Sequence, residues 1–309
     1  MSATPNFRNL SGNHLCSGLA CAMLMHGLAA CAPARADEAL FGYMYSTDSL
    51  PKGQWEFEQI MTARSGKARG SYFALDMRHE VEYGISDRFS AALYLNSGYN
   101  YIQNLYNPED TTQNVPDVNT FDLQGMSLEF KYRLLSPYTD PLGLSLYFEP
   151  EFEVRDSVSG EIVSAKAFEF RLIFQKNFMD DTLVFVSNLM LEPEWEKVGD
   201  ESLRELFFEF TLGGSYRIQE NWYLGLEFRN HREFPDLDWG AQEHSAYFLG
   251  PNVHYGTKDW WATLTILPQI SGTPGYLGIG ADGQRIDGGS LHLAQHEKLE
   301  VRLKLGFNL

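Results

Sequence analysis

Residues 298–309 read K-L-E-V-R-L-K-L-G-F-N-L, alternating between polar and apolar at every step. Leu299, Val301, Leu303, Leu305, Phe307 and Leu309 share one parity, and Lys298, Glu300, Arg302, Lys304, Gly306 and Asn308 share the other. A period of two is the mark of a β-strand with two unlike faces. Working back toward the N-terminus, the same period recurs and predicts twelve strands, at about 53–64, 71–85, 88–101, 121–135, 143–155, 163–177, 182–195, 204–218, 222–233, 244–256, 260–271 and 296–309. Each is long enough to cross a bilayer, which takes roughly 9 to 11 tilted residues.

The connections alternate in length. Ser86-Asp87, 137–142, 179–181, 219–221 and 257–259 are short and rich in turn-forming residues, whereas 102–120 and 272–295 are long. Short periplasmic turns and long extracellular loops are the topology of a transmembrane barrel. The last strand, with an apolar terminal residue and an aromatic two places earlier, resembles the C-terminal assembly signal of bacterial outer-membrane β-barrels, with Leu309 in place of the usual Phe. That resemblance implies the barrel-assembly machinery as a partner.

A formal net charge of -17 disfavours nucleic acid as a partner, because an acidic chain repels phosphate and no basic stripe is present. Cys16, Cys21 and Cys31 all precede a mature start at Asp37. After Arg8, a small and apolar stretch from Leu15 to Ala30 leads to Ala34-Arg35-Ala36, the pattern of a secretory signal peptide with its cleavage site. Leu28-Ala29-Ala30-Cys31 also fits a lipobox, the competing processing signal. The expected organisation is a signal peptide at 1–36 and a barrel at 37–309 in the outer membrane of a Gram-negative bacterium, in contact with outer-membrane lipid. No cofactor is implied.

On strand two, Phe73, Leu75, Met77, Val81, Tyr83 and Ile85 take one parity, and Tyr72, Asp76, Arg78, Glu80 and Glu82 take the other. In a barrel the polar set lines the lumen; in a soluble sandwich it would meet bulk water. Apolar faces on so many long strands exceed what a sandwich core needs. Tyr83, Phe89, Tyr132, Phe178, Tyr216, Trp222, Tyr255 and Trp260 stand beside the short turns, where aromatic rings suit the headgroup zone.

Several longer blocks, L-F-G-Y at 40–43, L-P-K-G-Q-W-E-F-E-Q at 50–59, V-E-Y-G-I-S-D-R-F at 81–89, Y-R-L-L-S-P-Y-T-D-P-L-G-L at 132–144, G-L-E-F-R-N-H at 225–231 and F-L-G-P-N-V-H-Y-G at 248–256, resemble an uncharacterised family of bacterial outer-membrane proteins, a domain of unknown function. The resemblance covers nearly all of the mature chain. It implies the barrel and its location, and carries no activity or site.

The lumen-facing parity is rich in charge. Glu129-Phe130-Lys131, Glu169-Phe170-Arg171, Glu227-Phe228-Arg229 and Glu300-Val301-Arg302 repeat a pattern whose pairs can meet across the ladder. Glu149-Pro150-Glu151 and Glu192-Pro193-Glu194, echoed by Glu56-Phe57-Glu58, each set two carboxylates on the inner face, with a proline expected to mark a bulge or irregularity. The candidate lumen-lining residues are Glu56, Glu58, Arg78, Glu129, Lys131, Arg133, Glu149, Glu151, Glu169, Arg171, Glu192, Glu194, Glu227 and Arg229. The six glutamates of the paired motifs would set the field against Lys131, Arg133, Arg171 and Arg229. Arg155 and Arg217 add to the inner basic residues that could neutralise them.

The spacing of His231 and His254 predicts no metal site. His79 takes the lipid-facing parity, an expensive place for a polar group, with Gln59 and Ser97 expected within a register step or two. Gln-His-Ser on an outer wall resembles the arrangement of the outer-membrane phospholipase. No motif around these residues supports catalysis, so no catalytic residue is assigned. The sequence therefore favours a narrow passive channel for small hydrophilic solutes or cations. Its alternatives are a lipid-facing hydrolase and a closed structural barrel with binding loops.

Overall fold

The computed structural model describes residues 39–68, 70–105, 116–279, 285–287 and 289–309. The expected signal peptide lies outside them. The strands are β1 (Trp55–Ser65), β2 (Ser71–Ser86), β3 (Phe89–Gln103), β4 (Val118–Leu135), β5 (Gly143–Arg155), β6 (Ile162–Phe178), β7 (Leu183–Val198), β8 (Glu201–Gln219), β9 (Trp222–Pro235), β10 (His244–Gly256), β11 (Trp260–Thr273), β12 (Tyr276–Ile279), β13 (Arg285–Asp287) and β14 (Leu299–Asn308). β1 to β11 and β14 form one closed antiparallel barrel of twelve strands. β1 pairs with β14 from Glu56↔Asn308 to Ser65↔Leu299, so no strand edge is left open to lipid. β12 and β13 form a separate two-stranded sheet within the last long loop.

Period-two patterning sorts the walls. Leu93, Leu95, Leu128, Phe170, Leu212, Leu226 and Ile266 are exposed on the outside, while Glu56, Glu129, Glu149, Glu227 and Thr265 are buried within. An apolar exterior around a charged interior places the chain in a membrane, and the barrel topology in the outer membrane. Among the described residues no helix is long and apolar enough to cross a bilayer. Ring contacts near the short turns, Trp55–Tyr83 at 4.5 Å, Trp222–Tyr255 at 4.8 Å and Tyr255–Trp260 at 5.3 Å, form part of a girdle at the periplasmic rim.

The prolines of the two carboxylate motifs act differently from expectation. Pairing of β4 with β5 lapses between Ser127↔Glu151 and Phe130↔Phe148, and that of β6 with β7 between Ala167↔Glu194 and Phe170↔Leu191, yet neither register shifts there. Proline withholds an N–H from one neighbour, which removes rungs without adding a residue. The bulges fall elsewhere, including Gln124 of β4, opposite Asn96/Ser97, and Ile270 of β11, opposite Tyr247/Phe248.

Residues 39–52 form no strand; they run through the lumen. Phe41 and Met44 pack on Val184 and Val186 of β7, and Tyr43 on Ala246, Phe248 and Leu267 of β10 and β11. Gly213 makes room for the segment, since a Cβ there would stand 2.1 Å from Met44 Cε and 2.8 Å from the Leu226 carbonyl oxygen.

Candidate functional site in the barrel lumen

The inward-folded segment is tied to several strands. Glu227 of β9 accepts from the backbone N–H groups of Gly42 and Tyr43 at 2.8 and 2.9 Å, and also from Asn252 and Thr265, each at 2.7 Å. Asn188 of β7 accepts from Tyr45 N–H at 2.8 Å and donates to the Tyr45 carbonyl at 2.9 Å. Gln175 of β6 accepts from Thr47 N–H at 2.9 Å, and Ser145 of β5 donates to the Thr47 carbonyl at 2.8 Å. Arg302 of β14 donates to the Gly42 carbonyl at 3.2 Å and lies over the Tyr43 ring. Asp48 ends the series, 3.5 Å from Arg133 and accepting from Tyr138 at 3.2 Å. Burial pushes the Asp48 carboxyl up to about 6, against the lowering pull of Arg133, Gln175 and Tyr138.

The predicted lumen residues face inward and fall into three levels. At the periplasmic end, Lys304 pairs with Glu58 at 3.1 Å, Lys131 lies 3.8 Å from Glu82, Tyr94 donates to Glu129 at 2.6 Å and Trp261 to Glu56 at 3.2 Å. Arg133 lies at this end with Asp48. The segment's Met44, Tyr45 and Ser46 close over these residues and leave a cavity of only about 20 Å³.

The middle level is a chain of alternating charge. Glu149 accepts from Arg78, Ser127 and Tyr147. Arg171 holds Glu169 and stands 3.5 Å from Glu209; Arg229 reaches Glu209 at 2.5 Å and both oxygens of Glu300 at 2.9 and 2.8 Å. Arg78–Glu149 joins β2 to β5 and Arg229–Glu300 joins β9 to β14, so both contacts cross the lumen instead of following a ladder. Of the four repeated Glu-apolar-basic motifs, Glu169-Phe170-Arg171 forms an ion pair within itself. Carboxylate oxygens of Glu149, Glu151 and Glu169 lie within 4.8 Å of one another. Arg78 and Arg171 already neutralise two of the three.

Above this chain opens a cavity of about 220 Å³ that reaches Ser157 in the β5–β6 loop. Arg64, Arg78, Arg229 and Arg302 line it together with Glu151 and Glu153 of β5. Glu192 and Glu194 continue the acidic surface on β7. Among the described residues Glu151, Glu153, Glu192 and Glu194 enter no ion pair, whereas Arg64 holds Asp76, Arg78 holds Glu149 and Arg229 holds two glutamates. The expected field is thus redistributed. Glu56 and Glu58 belong to the periplasmic level, Lys131 and Arg133 do not face the cavity, and Arg171 is engaged with glutamates. Sequence reasoning missed Arg64 and Glu153, both on lumen parity, and the whole inward segment; it read Arg302 as lumen-facing without counting it among the candidate lining residues.

On the outer wall the register brings Gln59, His79 and Ser97 together. Gln59 stands opposite His79, and Ser97 opposite Met77. The Gln59 amide nitrogen donates to the carbonyls of Ile60 and Arg78, each at 3.2 Å, which turns its oxygen to His79 Nδ1 at 2.6 Å. His79 Nε2 then accepts the Ser97 hydroxyl at 3.1 Å. Ser97 pairs six residues above Tyr83, about 15 Å up an apolar band roughly 25 Å tall. The trio satisfies its own polar groups where lipid offers them no partner.

A family model matches residues 33–309. The chain belongs to the DUF6662 family of unknown function. No curated protein matches this DUF6662 chain. Among solved structures, it is similar to an outer membrane channel from Pseudomonas putida F1, with 10% identity over 85% of this chain and 98% of that one and a TM-score of 0.54. It is also similar to the NanC porin, with 12% identity over 82% and 100% of the two chains and a TM-score of 0.47. At 10% identity the likeness to the Pseudomonas putida channel bears on the fold alone, which is that of an outer-membrane barrel.

Proposed function

We propose that the barrel is a passive, gated route for small hydrophilic solutes, cations foremost, with residues 39–52 as the gate. The observation that carries this reading is the 220 Å³ cavity, whose carboxylates outnumber their available partners while most of its guanidinium groups are already neutralised. Low-dielectric walls focus such a field and concentrate counter-ions inside. Arginine and glutamate facing one another across a narrow passage discriminate by charge and size. The closed periplasmic level makes passage depend on release of the segment, which is held by dispersed hydrogen bonds worth about 1 kcal/mol each, more where Glu227 accepts, and by the packing of Phe41, Tyr43 and Met44.

The test is conductance of the refolded protein in a planar bilayer under a salt gradient. Openings with a cation-selective reversal potential, moved toward zero by combining Glu151→Gln with Glu194→Gln, are the expected result. A folded barrel that stays silent even without its inward segment would refute the reading and favour the closed structural barrel.

A further inference from the structure

Four histidines meet at the extracellular end of the lumen, although they are scattered through the sequence. His231 lies on β9 and His244 opens β10; His292 and His296 lie in the segment that folds into the barrel mouth before β14. Gln269 holds that segment through the carbonyls of His292 and Glu297, at 3.0 and 3.2 Å, and through His292 N–H at 2.7 Å. Lys67 pairs with Glu297 at 3.1 Å, and Leu293 is buried against Ala68 and Leu291. His244, His292 and His296 are all buried.

The ring atoms are arranged unequally. His292 is occupied on both sides, Nδ1 by the Pro274 carbonyl and Nε2 by Gln295 Oε1, each at 2.6 Å. His244 Nδ1 and His296 Nε2 share a hydrogen bond at 3.1 Å, which a metal ion would replace, and the His231 ring centre is 5.2 Å from that of His296. A carboxylate backs each of the two wall histidines: Glu233 Oε2 is 2.8 Å from His244 Nε2, and Glu209 Oε2 is 3.6 Å from His231 Nδ1.

We propose that this cluster binds a borderline transition-metal dication such as Zn²⁺, with His244 Nδ1 and His296 Nε2 as ligands and His231 Nε2 closing on the ion by side-chain rotation. Two nitrogen ligands of a tetrahedral zinc ion, each at about 2.0 to 2.1 Å from the metal, stand roughly 3.3 Å apart. The observed 3.1 Å separation is close to that spacing. Neutral imidazole suits ions of this class, and a carboxylate behind a ligating histidine fixes the tautomer that turns a lone pair to the metal. Water completes the shell. Because His244 belongs to the wall and His296 to the 289–298 segment, a bound ion fastens the mouth. This site stands independently of conduction through the barrel.

The test uses the full mature chain, free of any histidine tag, folded in detergent, stripped with chelator and titrated calorimetrically with zinc chloride. One ion per barrel is expected. Affinity should fall about 10- to 100-fold in Glu233→Gln, as for other partners behind metal-bound histidines, and binding should be lost in His244→Ala and His296→Ala. His254→Ala, whose ring bonds Thr263 at 2.7 Å elsewhere in the lumen, should bind as the parent does. Heat-modifiable gel migration identifies any variant that fails to fold. For such a variant, zinc protection of the 289–298 segment from proteolysis in the parent chain replaces it as the readout. Absence of saturable binding, binding undiminished in folded His244→Ala, or a segment cleaved equally with and without zinc would overturn the proposal.

Discussion

The two ends of the lumen are closed to different degrees by different means. At the periplasmic end a stretch of main chain crosses the lumen, its backbone groups bonded to Glu227, Asn188, Gln175 and Ser145 on four strands. In the extracellular half the walls are lined by the same residue types, but among the described residues no chain crosses at the level of Glu151 and Glu153, and a 220 Å³ cavity remains. Charged side chains alone therefore do not fill a barrel of this width. An additional segment is needed, and it has been supplied where the polar groups of the wall accept backbone N–H donors.

Removing residues 39–50 should have the largest effect on this contrast. Conductance is expected to change from rare openings to a sustained level, measured on single barrels in a planar bilayer; an unchanged record would mean that the wall itself closes the passage. Glu227→Leu is gentler, since it keeps the segment but strands donors that the carboxylate now receives. Each unsatisfied buried group costs about 1 to 3 kcal/mol. Open time should rise at least about tenfold, which corresponds to roughly 1.4 kcal/mol. Proteolysis of the segment should accelerate in parallel.

A smaller effect follows from Asp48. Its carboxyl, ordinarily at 3.8, lies at about 6 in the docked segment because burial outweighs Arg133. A raised acid pKa stabilises docking fully below the undocked value, and that contribution is lost as pH rises through the docked value. The segment should thus be held most tightly near pH 4 and loosen up to about pH 6, by no more than about 3 kcal/mol. Open probability measured across this range should rise with pH, and Asp48→Asn should flatten the curve. A fall in open probability with rising pH would reverse the assigned sign.

The strands and short turns were legible because alternation reports a wall with two environments, whatever the wall faces. Parity also placed the lumen glutamates inward, and counting from the short turns brought Gln59 within a register step or two of His79, which the structure sets directly opposite it. It could not report partners. Arg229 reaches Glu300 and Arg78 reaches Glu149 across the lumen, between strands that are not neighbours, and no local spacing encodes a contact across a barrel. Residues 39–52 had no period to read. Their one local signal was composition: Leu40, Phe41, Tyr43, Met44 and Tyr45 are too apolar for a tail left in water. The histidine cluster was hidden likewise, since His231 and His244 are joined by the pairing of β9 with β10 and His296 by the fold of a loop.

The most direct test of the two-ended lumen is cysteine labelling from the extracellular side, with a chain whose residues from Asp37 onward contain no native cysteine. Single substitutions at Glu194→Cys, in the acidic surface above, and Glu58→Cys, in the closed level below, would be exposed to a small charged thiol reagent. Rapid reaction at position 194 and protection at position 58, lifted when residues 39–50 are deleted, is the predicted result. Equal labelling at both positions in the intact chain would contradict the account.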